Sequence, residues 1–359
     1  MNLSKTSHPA CPFFIAGQKI TDPRCFVGRK EELRILTDSM SGVQPISVNV
    51  VGERLSGKSS LLQRFLCTYA ERVTEPSRFL VVFLCLRLVK PKTEAEFYQS
   101  LADALSKLRT VQQCQPLRSI LSRPCRSSRA FGAVLDVTAS IRLLPVFCLD
   151  EFEKLFDHKD ALTKDFYDGL HSLTNSNKMM LIIATRRPVE IVAAEQQLLS
   201  PFFNFGQLCK LKEFSEQDAE ALVNLPDRDN PALTLAERQL ALKWGSRSPW
   251  QLQLAAWFLF EAQRNGKKPA WAKQQFERER RRRQLPQQQR FLSIPSWCRA
   301  VFCDFPRWLG SWPLRLGRVF DDTANYITGW ILILVVLACV FGYAGIADLF
   351  TVVRQKVGL

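Results

Sequence analysis

The feature that most constrains this chain is the segment Gly52-Glu53-Arg54-Leu55-Ser56-Gly57-Lys58-Ser59, which matches G-x-x-x-x-G-K-[ST] at every position. Its flanks fit as well. Residues 45–52, PISVNVVG, form an apolar run bounded by Pro and Gly and predict a buried parallel strand, and a helical pattern starts at Gly57. A strand, a glycine-bearing loop and a helix in that order let successive backbone N–H groups converge at a helix N-terminus, where the helix dipole favours an anion. The loop is therefore read as a polyphosphate grip. Its expected ATP contacts are Gly52, Glu53, Arg54, Leu55, Ser56, Gly57, Lys58, Ser59 and Ser60, with Lys58 at the β and γ phosphates and Ser59 on Mg²⁺.

Such a site needs an acidic partner at the end of another strand, and LLPVFCLDEFEKL supplies one. Asp150 is expected to hold Mg²⁺. Glu151 is expected to polarise the attacking water, so Glu151 and Lys58 are the predicted catalytic residues. A third strand, KMMLIIAT, ends at Thr185, Arg186 and Arg187, at the edge where α/β sheets bind ligands. A polar or cationic residue there could read the γ-phosphate; the alternative is a solvated arginine pair, which weighs more for Arg187 than for Arg186.

Apolar runs at RFLVVFLCLRL, LLPVFCLD and KMMLIIAT, with helical patterns such as TEAEFYQSLADALSKL between them, predict a parallel α/β sheet with helices on both faces. From about Phe214 the pattern is helical only, with capping boxes read at Ser215/Asp218 and Thr234/Glu237. The expected organisation is an N-terminal extension (1–24), a core (25–212), a small all-helical lid (213–268), a basic and aromatic linker (269–325), a transmembrane helix (326–347) and a short tail (348–359). The eleven cysteines are scattered with no C-x-x-C pair, and the three histidines lie away from metal-ligand spacing, which reads as reduced thiols and no zinc site. The N-terminus shows no apolar stretch of signal-peptide length, so a cytosolic start is expected.

Together CFVGRKEELRIL, VVGERLSGKSSLL, CLDEFEKLF, IIATRRP, LSPFFNFGQLCKLKEFSEQDAEAL and WGSRSPWQLQLAAWFLFEA resemble the AAA+-related, STAND-type ATPases of bacteria, over about Phe26 to Ala262. The resemblance implies that Phe26, Val27, Gly28 and Arg29 form a turn beside the adenine and that Thr185 and Arg186 act as a sensor. It also implies that the stretch Gly245 to Pro249 brings the lid to the nucleotide, with Arg247 a phosphate contact. Ser246, Arg247 and Ser248 depart here from the family's shorter Gly-Arg-x-Pro arrangement. Members are typically switches that turn ATP over slowly and form homo-oligomers in one state. Most carry long sensor repeats; none is visible here, so a partner protein is expected to act as sensor or effector.

From Ile327 to Ala347 the chain carries no charged residue, enough for a helix of about 30 Å, the thickness of a bilayer core. Tyr326, Trp330 and Tyr343 lie toward its ends, as interfacial aromatics do. A single span is expected, with the ATPase in the cytoplasm. The net charge of +15 and the run Arg280 to Arg283 fit anionic lipid, nucleic acid or a solvated helix face. Two other functions stay open: a motor or chaperone acting on membrane substrates, and a nucleic-acid-binding ATPase of the origin-recognition kind.

Overall fold

The computed structural model describes residues 13–284, with 205 and 228 excepted. The chain divides into two units, Met1–Arg280 and Arg281–Leu359, and the fold described here is that of the first. Among the described residues no helix is long and apolar enough to cross a membrane. The span expected at Ile327–Ala347 lies outside them, as do the first 12 residues, most of the expected linker and the tail.

Five strands form one sheet: β1 (Val48–Val51), β2 (Phe79–Cys85), β3 (Leu144–Asp150), β4 (Met180–Thr185) and β5 (Gln207–Lys210). Their order is β2-β3-β4-β1-β5 and every pairing is parallel. The four runs read as strands are β1 to β4. β5, in which Cys209 alone is buried and Leu208 and Lys210 are exposed, carries too weak an apolar signal to stand out.

Helices α1 (Lys30–Ser41), α2 (Lys58–Thr68), α3 (Leu86–Val89), α4 (Glu94–Ser106), α5 (Arg109–Gln113), α6 (Gln115–Leu121), α7 (Ser128–Ser140), α8 (Lys164–Asn175) and α9 (Val189–Glu195) surround the sheet. Alternation along each strand decides which face meets which helix. Val48, Val50, Val81, Val146, Ile182 and Ala184 pack with Leu36 of α1 and with Leu61 and Phe65 of α2. On the other face, Leu80, Val82, Phe147, Leu149, Leu181 and Ile183 join Phe97, Phe131 and Phe166 from α4, α7 and α8. Strands buried on both faces explain why the sequence shows continuous apolar runs rather than alternation.

A separate helical layer follows: α10 (Glu216–Val223), α11 (Leu235–Gly245), α12 (Pro249–Arg264) and α13 (Pro269–Gln284). Thr234 and Glu237 form a reciprocal capping box, whereas Ser215 accepts from the Asp218 N–H and no return bond is formed. The aspartate lacks the methylene that lets glutamate reach back. The layer does not stop at residue 268: Ala272 and Phe276 of α13 are fully buried in its core. Phe14, 1% exposed, sits in that core too. A strap running from Phe13 to Cys25 therefore reaches from the lid to the sheet domain. The Ile15 N–H donates to Gln253 Oε1 of α12 at 2.9 Å, and the Ile20 N–H donates to Ser60 Oγ of α2 at 3.0 Å.

Candidate functional site

The parallel sheet brings its carboxyl ends to one edge, and the strand order sets what stands beside what. β4 lies between β3 and β1, so the end of β4 separates the acidic strand end from the loop that follows β1.

That loop is tight. The Gly52 N–H donates to the Thr185 carbonyl at 3.2 Å, and a Cβ on Gly52 would fall 2.5 Å from Ser56 Oγ. Gly57, at φ 97°, caps α2, and a Cβ there would meet nothing within 4 Å. Space beside one glycine and backbone closure at the other make a cradle suited to phosphate. Lys58 Nζ donates to the carbonyls of Gly52 at 2.5 Å and Glu53 at 2.9 Å. Burial pushes this ammonium below the ordinary lysine value, while Glu153 first and then Asp150 pull it back. Ser59 occupies the first turn of α2, Glu53 and Arg54 are exposed, and the Ser60 hydroxyl is taken by the strap.

Asp150 ends β3 almost fully buried, and its Oδ1 accepts from the Glu151 N–H at 3.0 Å. Glu151 turns the chain with φ 55°, a left-handed conformation that costs a non-glycine residue about 1–3 kcal/mol. Its Oε2 lies 3.3 Å from Arg87 Nε of α3. Two further residues of this corner escaped the sequence reading. Arg87 is one. The other is Glu153, whose Oε1 is 3.3 Å from Arg186 Nε while its Oε2 is buried without a hydrogen-bond partner. The third acid in DEFEKLF is the local signal that could have found Glu153.

The two other arms of the expected sensor differ. Thr185 is fully buried and donates its hydroxyl to Asn49 Oδ1 of β1 at 2.8 Å, on the sheet face away from α2. Arg186 stays at the edge. Arg187 is drawn off by Glu195, with two bonds of 2.6 Å.

The lid meets the phosphate loop and the turn before α1 through four residues. Leu55, strained at φ 68°, and Val27 pack against the lid core. Gly28, at φ 71°, lies so close to α10 that a Cβ would fall 2.7 Å from Asp218 Cγ. Arg29 is 7% exposed: it donates to Glu32 Oε1 at 2.7 Å, reaches the Ser56 carbonyl at 3.4 Å, and stacks its guanidinium 5.0 Å from the Phe214 ring. Phe26 packs instead with the α1 and α2 side of the sheet. Phe214 continues the chain of contacts, since its N–H donates to the Arg247 carbonyl in the turn from Gly245 to Pro249. Gly245 is needed there because a Cβ would sit 2.6 Å from the Leu252 nitrogen. Pro249 opens α12, and the Arg247 side chain lies 3.8 Å from Glu213, both well exposed.

The donor set fits a magnesium nucleotide: a phosphate cradle, a desolvated lysine, a hydroxyl in the first helical turn and a buried carboxylate at a neighbouring strand end. Ser59 and Asp150 would hold Mg²⁺, which when bound offsets the charge on the β and γ phosphates.

The family model described as Novel STAND NTPase 1 matches residues 18–243. No curated protein matches the chain. Among solved structures, the Walker-type ATPase of Pyrococcus abyssi is 18% identical and superposes with a TM-score of 0.55, covering 94% of this chain and 91% of that one. The Aeropyrum pernix ORC2 protein in its ADPNP–ADP complexes is 11% identical with a TM-score of 0.50, covering 69% of this chain and 67% of that one. At these identities the likeness is one of fold, an α/β P-loop fold.

Proposed function

From the premise that this chain belongs to the Novel STAND NTPase 1 family, we propose that it binds ATP with Mg²⁺ at the loop from Gly52 to Ser59 and hydrolyses it slowly. Its nucleotide state then governs self-association or contact with a partner protein. The observation that carries this reading is the seating of the lid on the phosphate loop itself, through Leu55 and through Arg29 between the Ser56 carbonyl and the Phe214 ring. A lid in contact with the loop has different contacts whenever the loop changes, and a ligand shifts a conformational equilibrium only through such differences.

In this reading Lys58 supplies a desolvated positive charge at the phosphate end, and Glu151 accepts the proton of the attacking water. The ion pair to Arg87 holds the Glu151 carboxylate toward the β2 side of the sheet and slows turnover. The apolar segment Ile327–Ala347 ties the switch to a bilayer, with the nucleotide site on the cytoplasmic side.

The test is phosphate release and nucleotide retention by the full chain in detergent, across a range of protein concentrations, beside Lys58→Ala and Glu151→Gln. The expected result is slow turnover in the wild type, lost binding in Lys58→Ala, and retained ATP without turnover in Glu151→Gln. Equal hydrolysis in all three would overturn the assignment of the site. Brisk turnover that rises with protein concentration would instead identify an assembling motor. Release of the full chain from membranes by alkaline carbonate would refute the span.

A further inference from the structure

We infer that Glu153 is a positioning residue of this site, fixing the Arg186 guanidinium at the end of β4 so that its free N–H groups serve the nucleotide phosphates. The inference rests on the nucleotide-binding reading above.

The acid is the fixed member of the pair. It lies in the 3₁₀ turn Phe152–His158, where Phe152 and Leu155 are fully buried and Phe156 is 3% exposed. Phe152 stacks on Phe202 at 5.9 Å between ring centroids, and Phe156 stacks on Tyr167 at 6.0 Å. Anchors on both sides leave the backbone at residue 153 little freedom. The Glu153 side chain is 19% exposed against 59% for Arg186. The carboxylate therefore sets where the arginine goes, not the reverse.

The geometry also leaves the arginine usable. Glu153 Oε1 lies 3.3 Å from Nε, the donor nearest the stem, so the two terminal nitrogens of the planar fork can still address oxyanions. Arg187 has no such role, since both its terminal nitrogens are bonded to Glu195.

A purely structural glutamate does not explain the site. Glu153 Oε2 is buried with no hydrogen-bond partner, an arrangement that costs stability rather than adding it. Burial pushes the carboxyl above the ordinary glutamate range, opposed by its own backbone and then by Lys58 and Arg186. The acid thus sits in the field of both cations of the phosphate end. A buried polar atom left unpaired in a native fold asks for an explanation, and a role at a ligand site is one.

The experiment is a double-mutant cycle on nucleotide affinity, read by titrating a fluorescent ATP analogue into the full chain with and without Mg²⁺. The variants are Glu153→Gln, Arg186→Ala and the double, with melting curves to confirm folding and Lys58→Ala as control. In the wild-type background Arg186→Ala is expected to weaken binding about tenfold. In the Glu153→Gln background the same change should cost less than about twofold, because the fork is no longer aimed.

A glutamate that merely cancels charge predicts the opposite sign. Freed of its counter-charge, Arg186 would matter more in the Gln background. An unchanged or larger effect of Arg186→Ala there overturns the positioning role. Should Glu153→Gln fail to fold, Glu153→Asp takes its place in the cycle. The shorter acid should then reduce the effect of Arg186→Ala, and an undiminished effect refutes the inference. If wild type and Lys58→Ala bind the analogue alike, the reading of the site fails and the inference falls with it. If Lys58→Ala alone loses binding while the cycle is additive, only the role of Glu153 falls.

Discussion

Gly28→Ala tests the joint between the turn at Phe26 to Arg29 and the lid, and its cost divides into two parts that a second substitution separates. The first part is conformational. At φ 71° an alanine occupies the left-handed region, at about 1–2 kcal/mol. The second is steric. The new Cβ would stand 2.7 Å from Asp218 Cγ and 3.0 Å from both carboxylate oxygens, so the Asp218 side chain, and with it the start of α10, has to give way. Overpacking of this kind costs typically 1–3 kcal/mol, and an aspartate at the exposed end of a helix has room to turn, so the lower end applies. The sum is about 2–3 kcal/mol. Urea unfolding of the full chain measures it, and nucleotide titration shows whether the lid still closes on the loop. Asp218→Ala in the same chain removes the carboxyl and should recover the steric part, about 1 kcal/mol, while leaving the conformational part. The Ser215 cap survives that change because it uses the Asp218 backbone N–H. A Gly28→Ala chain as stable as wild type within about 0.5 kcal/mol, or one that Asp218→Ala does not partly rescue, would refute this account of the joint.

Phe14→Ala should cost about 3–5 kcal/mol, as for other buried phenylalanines, and should expose α12 to hydrogen exchange before the sheet; an exchange pattern unchanged in α12 would show that the strap does not hold the lid. Arg87→Ala should raise basal phosphate release a few-fold by freeing Glu151 while leaving nucleotide affinity unchanged, and a fall in turnover would mean that the pair assists the chemistry. For pH, the folded state binds more proton than the unfolded one wherever burial has raised the Glu153 value above that of a free glutamate, so stability is lost as pH rises through that window. Urea midpoints measured from pH 4 to 7 should fall less steeply in Glu153→Gln than in wild type, and parallel curves would contradict the raised value.

The sheet was legible because strands buried on both faces announce themselves as apolar runs, and β1 to β4 all do. β5 was not, since Gln207 and Lys210 break its run and its place at the sheet edge is fixed by pairing with β1 rather than by its own pattern. The places of Lys58, Asp150 and Glu151 in the fold were legible for a different reason: a glycine-bearing loop between strand and helix marks the start of α2, and two acids directly after an apolar run mark the end of β3. The partners that tune them were not. Arg87 becomes a neighbour of Glu151, and Arg186 of Glu153, only through the order β2-β3-β4, which no local spacing encodes. Arg186 and Arg187 stand side by side in the sequence, Arg186 favoured there as the sensor, and the structure separates them through Glu195 at the end of the next helix, which takes Arg187. Phe14 shows the same limit, being one apolar residue in a segment with no periodicity, whose burial depends on α12.

Four of the eight described non-glycine residues at positive φ fall around the site. Arg29, Leu55, Glu151 and Ser246 are non-glycine residues held at positive φ, and they lie in the turn before α1, the phosphate loop, the acidic strand end and the lid turn respectively. Each holds about 1–3 kcal/mol that the surrounding packing sustains. That is also the size of a typical coupling free energy between two sites. Free energy of that size corresponds to a factor of about five to a hundred in a conformational equilibrium. Leu55 is where this matters most: its backbone belongs to the phosphate loop and its side chain to the lid core, so the loop cannot change conformation without disturbing that core's packing. Arg29 repeats the arrangement with polar contacts, one to the Ser56 carbonyl and one to the Phe214 ring, whose backbone is bonded to the lid turn at Arg247. Two independent links of different chemistry join the same two parts, and it is on this geometry that the proposed switch rests.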